Sequence, residues 1–271
     1  MTSPDARFTS SKEKARGGRS VSYDASTAFG TEARAEQGFL RQVFAWMFLA
    51  LALTTGVAIF FHNGTTAQWI YTHTTIFYIA LFAQLGFVIA LRSVLFSQRV
   101  STQVAAFLFF LYAALTGAVF SVLLDAYTTD SVIGAFAGAC GVFAGMALLG
   151  YTTKADLSRF APILFGALLG IIAASVAYIF VGGQTLNLII GYVGVLVFSG
   201  LTAYDIQMLK KMRAGEPMTS RFGGFGRGGR TISFSQGGAS TEKLAIFGAL
   251  WLYLDFVNLF ISLLRIFGRQ R

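Results

Sequence analysis

The chain has 271 residues, 55% of them hydrophobic and only 12% charged, with 28 Phe, 30 Gly and a mean hydropathy of +0.65. No water-soluble core conceals that much apolar surface, whereas lipid accepts it, so the composition excludes an ordinary soluble globular protein. The net charge of +9 lies mostly between the apolar runs, where an anionic leaflet accounts for it without a nucleic-acid partner. The single Cys140 excludes an intramolecular disulfide and a Cys-rich metal site.

Residues 1–38 are rich in Ser, Arg, Ala and Glu and lack the apolar core of a signal peptide, so they read as a disordered basic cytoplasmic arm. From 39 to 271 the pattern is that of an all-α integral membrane protein, a bundle of seven transmembrane helices. Runs long enough to cross are expected at 42–61, 69–91, 103–124, 131–151, 161–181, 186–206 and 244–264. Lys and Arg cluster before the first run, after the second and fourth, and between the sixth and seventh. The three alternate loops carry none, which places the N-terminus in the cytoplasm. Arg265, Arg269 and Arg271 break the scheme, because an odd count of spans carries this short basic tail outward; the alternative is a re-entrant last segment.

Small residues four apart mark close helix approach in lipid. Gly134 with Gly138, Gly141 with Gly145, and Gly166 with Gly170 are the expected contact points, and Pro162 suits a first helical turn. Trp69, Tyr71, Tyr78 and Tyr151 read as interface belt or bundle filler. His62 and His73 read as interfacial polar residues, because they lack H-E-x-x-H spacing and a third ligand. The segment 212–241 contains RFGGFGRGGR, whose G-x-G-x-x-G has no strand before it and reads as a flexible basic linker. No G-x-S-x-G elbow is present, and Cys140 has no nearby His to activate it.

Two carboxylates stand inside the runs. Asp205, in SGLTAYDIQMLKK, lies near an inner end, where pairing with Lys210 is the plain reading. Asp255, in LWLYLDFVNLFISLL, is several turns from either end and costs at least ~2.5 kcal/mol at mid-bilayer unless neutral, paired or wet. Asn258 and Ser262 share its helix face, so this stripe points into protein or water and the last helix belongs inside the bundle. If the two acids meet, both cannot ionise cheaply and they share a proton, which makes a pH-sensitive latch. Counted from the inner boundary, Asp205 is roughly 7 Å deep and Asp255 roughly 17 Å. Contact therefore requires tilt, a deeper vestibule, or a last helix that starts below the membrane. Arg92, at the inner end of the second run, is the best intramembrane cation for a competing salt bridge with either acid, with snorkelling as its plain alternative.

The stretches GYTTKADLSRF, SGLTAYDIQMLKK and FGALWLYLDFVNLFISLLRIFG resemble the Bax inhibitor-1 family, also known as the transmembrane Bax inhibitor motif family, over residues 39–271. The resemblance implies a seven-helix protein whose seventh helix is wrapped by the others, with a pH-dependent calcium leak. It implies that Asp205 of A-Y-D and Asp255 of L-Y-L-D-F form the proton-sharing pair that senses pH and transiently meets Ca²⁺. Arg92 and Asn258 are supporting residues, Arg92 as an offset match to a pore-facing arginine. Gln84 stands where some members carry a glutamate, which weakens any divalent-ion path there.

The expected function is a pH-dependent calcium leak in a bacterial inner membrane, with no cofactor and no enzymatic turnover. The partners are lipid, protons and Ca²⁺. One alternative is an interaction protein that modulates a membrane-bound AAA protease through its arm and Gly-rich loop. Another is an intramembrane aspartyl protease of the presenilin type, against which the L-Y-L-D motif departs from G-x-G-D and no Pro-Ala-Leu follows.

Overall fold

The computed structural model describes residues 21–62, 83–84, 86–88, 91, 100–213, 218–219, 231–232 and 241–269. The helices are α1 (Val21–His62), α2 (Thr102–Ala126), α3 (Thr129–Thr152), α4 (Ala161–Val181), α5 (Gln184–Arg213) and α6 (Thr241–Phe267), with a 3-10 turn at Leu157–Arg159. Among the described residues, six helices are long and apolar enough to cross a membrane. The run expected at 69–91 falls for the most part outside the described residues, as do Arg92 and His73.

The first helix begins at Val21, well before the boundary expected at 38. Ala, Glu, Arg and Gln through Glu32–Gln37 are strong helix formers, and hydropathy marks only the lipid-embedded part of a helix. Between α5 and α6 the linker carries a two-residue antiparallel pairing, Met218 with Ile232 and Thr219 with Thr231. Elsewhere local signals match local structure. Ser101 caps α2 by accepting from the Val104 amide, and Pro162 sits in the first turn of α4. Gly182 and Gly183 take φ of 64° and 96° in the α4–α5 turn, a conformation that a side chain resists.

The last helix packs against α1, α2, α3 and α5. Of its most apolar stretch 72% is buried against protein, compared with 0% for α4, so α6 is the innermost described helix and α4 the most peripheral. The packing glycines are not those the spacing marks. Gly134, Gly141, Gly145, Gly166 and Gly170 have no described atom within 4 Å of where a Cβ would stand, and Gly138 only reaches Leu263 at 3.5 Å. Close approach occurs instead at Gly117 against Thr54, Gly150 against Ala203, Gly194 against Ser262, and Gly248 against Leu209. Spacing reports that a helix has a smooth stripe, and rotation of the helix decides whether that stripe meets protein or lipid.

Both ends of α6 are tied, and at opposite ends of the bundle. Near its start, Lys243 Nζ donates to the Val100 carbonyl at 3.0 Å. Past its end, the Thr128 amide donates to the Arg269 carbonyl at 3.0 Å, and the Arg269 amide donates to Ser131 Oγ at 2.9 Å. This helix therefore runs the full height of the bundle and does not turn back.

Candidate functional site

Helices α5 and α6 pack antiparallel with small residues at the seam. Gly191 lies against Ile266, Gly194 against Ser262, and Leu209 against Gly248, which fixes a constant register along both helices. In that register Leu209 is level with Gly248, so the turns from Thr241 to Phe247 extend beyond it toward the inner end. The depth difference between the two acids is thereby absorbed: α6 starts lower than its apolar run, and Asp205 and Asp255 arrive within one turn of the same level.

The two side chains are hydrogen-bonded to each other. Asp255 is 5% exposed, and its Oδ2 is buried with no hydrogen-bond partner among the described residues. An ionised carboxylate only accepts, so a carboxyl–carboxyl hydrogen bond requires a proton on one of them. The contact sets two carboxyl groups from adjacent helices against each other, with Asp255 in a dry interior. Such an arrangement takes up or gives up a proton, or offers oxygen ligands to a hard cation, when the helices carrying it shift.

The expected polar stripe is bonded differently from the expectation. Asn258 Nδ2 donates to the Leu254 carbonyl at 2.8 Å, and Ser262 Oγ donates to the Asn258 carbonyl at 2.7 Å. Both are bonds within α6, since residues four apart on a helix face the same way and a short polar side chain reaches the carbonyl behind it. Ser262 still marks the contact face, against Gly194.

Below the acids, α5 grips the loop between α3 and α4. Gln207, 8% exposed, donates from Nε2 to the Ala155 carbonyl at 2.7 Å and accepts from the Leu157 amide at 2.9 Å. Lys211 Nζ donates to Asp156 Oδ1 at 2.7 Å, and Lys210 Nζ donates to the Tyr151 carbonyl at 2.8 Å while lying 4.3 Å from the centre of the Tyr151 ring. Tyr151 is therefore a cation platform as well as filler. The Lys211 ammonium, with help from Ser158, holds the Asp156 carboxyl down at about 2. At the opposite end of the bundle His62 Nδ1 lies 2.6 Å from Asp125 Oδ1 and ties α1 to α2.

The fold and this site together define a multi-pass integral membrane protein whose innermost described helix carries a buried carboxyl bonded to a second carboxyl on its neighbour. The three stretches that carry the resemblance meet here: GYTTKADLSRF is the gripped loop, SGLTAYDIQMLKK the gripping helix, and LYLDF the inner one. The chain belongs to the Bax inhibitor-1 family. The family model described as "Inhibitor of apoptosis-promoting Bax1" matches residues 36–271. The chain is 41% identical over 236 residues to the inner membrane protein YbhL of Escherichia coli K12, covering 87% of this chain and 93% of that one. It is 39% identical over 235 residues to a protein of Deinococcus radiodurans, covering 86% and 90%. It is 34% identical over 237 residues to one of Borreliella burgdorferi, covering 86% and 92%.

Gln207 escapes a reading of the sequence because a neutral amide beside two lysines carries no charge signal. Its position two residues after Asp205, on a helix end otherwise made of apolar and basic residues, is the one clue to its role.

Proposed function

We propose that this protein is a pH-dependent Ca²⁺ leak in a bacterial inner membrane, and that the proton shared by Asp205 and Asp255 controls its gate. The observation that carries the reading is the side-chain hydrogen bond between two acids on adjacent helices, with Asp255 buried. Family membership supports it, and the name of the Escherichia coli relative supports the location. Loss of the shared proton leaves two carboxylates in low dielectric, and their repulsion drives α5 and α6 apart. Regain of a proton restores the bond. Ca²⁺ is cargo here, attracted for the moment that both oxygens are available, and no covalent bond is made or broken.

Seven crossings with the seventh helix central complete the proposal. The count is supported by the positions of two described residues: His62 lies beside Asp125 at one end of the bundle, and Val100 beside Lys243 at the other. The distribution of basic loops supports a cytoplasmic N-terminus.

Purified protein in liposomes loaded with a Ca²⁺ indicator tests the reading. Ca²⁺ entry above that of protein-free vesicles, changing between pH 6 and 8, is the expected result. Vesicles that pass no Ca²⁺ at any pH contradict it and leave the interaction with a membrane protease as the reading to pursue.

A further inference from the structure

Asp255 is only half of what α6 presents to its neighbours. Two residues earlier, at about 200° around the helix and so on its opposite side, stands Tyr253, which is fully buried. Its hydroxyl is 2.8 Å from Thr54 Oγ1 of α1, and Thr116 of α2 lies nearby. Thr54 Oγ1 lies 2.9 Å from the Ala50 carbonyl and 3.0 Å from the Ala113 carbonyl. A hydroxyl has one proton, so when Thr54 donates to a carbonyl its lone pairs are left for the Tyr253 hydroxyl. Thr116 in turn donates to the Tyr112 carbonyl at 2.9 Å and accepts from Gln84 Nε2 at 2.7 Å. The string is set where α1 and α2 cross most closely, with Gly117 against the Thr54 carbonyl. The Tyr253 ring is wedged edge-on against Phe109 and Tyr112, at 5.7 Å and 6.1 Å between centroids.

We infer that Tyr253 is a positioning residue for the acid pair: held by Thr54 and by its ring packing against Phe109 and Tyr112, it sets the rotation of α6 that keeps Asp255 against Asp205. The geometry gives the coupling its direction. A turn of α6 that draws Asp255 away from α5 sweeps the longer Tyr253 side chain away from the Thr54 hydroxyl on the far side. Each clasp therefore opposes loss of the other, although the two share no atom. The inference rests on the functional reading only in treating separation of the acids as the motion that matters.

A double-mutant cycle in thermal unfolding of the full-length protein tests it, using Tyr253→Phe, Asp205→Asn and the pair, all in one detergent. Tyr253→Phe keeps the ring packing, so the fold is retained. The expected result is non-additivity, with the fall in Tm of the pair smaller than the sum of the singles by about 2 °C or more. Thr54→Val should reproduce the coupling of Tyr253→Phe, and Thr54→Ser, which keeps the hydroxyl, should not. Strictly additive shifts would mean that Tyr253 merely contributes to stability, and would overturn the inference. The cycle reads the contact and not transport. Additivity in a protein with pH-gated flux defeats this inference alone, whereas coupling in a protein without flux defeats only the channel reading.

Discussion

Asp255 is 5% exposed and has Asp205 as its partner, which stands in for the water that a buried carboxyl loses. The acid itself was legible in the sequence, since a carboxylate deep in an apolar run must be neutral, paired or wet and so marks its own helix face as inward. Its partner was legible only through a family pattern, because depth counted from the ends of apolar runs sets the two residues a turn or two apart. Glycines were legible least of all. Gly134, Gly141 and Gly145 of the expected stripe on α3 have no described atom near them, while Gly150, which no spacing pattern marks, would drive a Cβ into the Ala203 carbonyl. Gly150→Ala should therefore destabilise the protein by about 1–3 kcal/mol. Gly141→Ala, with nothing within 4 Å, should be neutral or stabilising by up to ~1 kcal/mol through helix propensity. Thermal unfolding of the two variants in detergent decides between them, and equal effects would refute the packing.

Among the elements, the inner end of α5 and the α3–α4 loop behave as one unit. Gln207 satisfies two backbone groups of the loop, and Lys211 holds Asp156. The Asp156 carboxyl lies below its ordinary range. Whatever its ion pair contributes is therefore present in full above the usual Asp value near ~4 and is lost only as pH falls through about 2. The grip on the loop should not respond to pH between 5 and 8. Hydrogen exchange at the Leu157 and Ser158 amides, corrected for its intrinsic pH dependence, should show constant protection over that range in the wild type. Gln207→Ala should instead raise exchange at Leu157 about tenfold, corresponding to one lost hydrogen bond of ~1.4 kcal/mol. Helix positions along the chain were legible because lipid demands long apolar runs. The helical extension of α1 back to Val21 was not, because a helix beyond the lipid is written in propensity and not in hydropathy.

At the scale of the molecule, the basic tail was the feature that the distribution of charge could not assign. Bonds from Thr128 to the Arg269 carbonyl and from the Arg269 amide to Ser131 place Arg269 at the α2–α3 junction, across the bundle from the α3–α4 loop. In a Cys140→Ser background, cysteines introduced at Arg269 and Asp130 should react with a membrane-impermeant maleimide from the same side of intact vesicles. One at Lys154 should react only from the other side. Labelling of Arg269→Cys together with Lys154→Cys would restore the re-entrant alternative.

The central claim of the proposed function is that one proton shared by Asp205 and Asp255 controls the gate. Ca²⁺ flux from liposomes, recorded across pH 5–8 for the wild type, Asp205→Asn and Asp255→Asn, tests that claim most directly. The wild type should change its flux with pH and either substitution should flatten the profile, since an amide neither shares nor releases the proton. Variants that fold and keep the wild-type profile would contradict it.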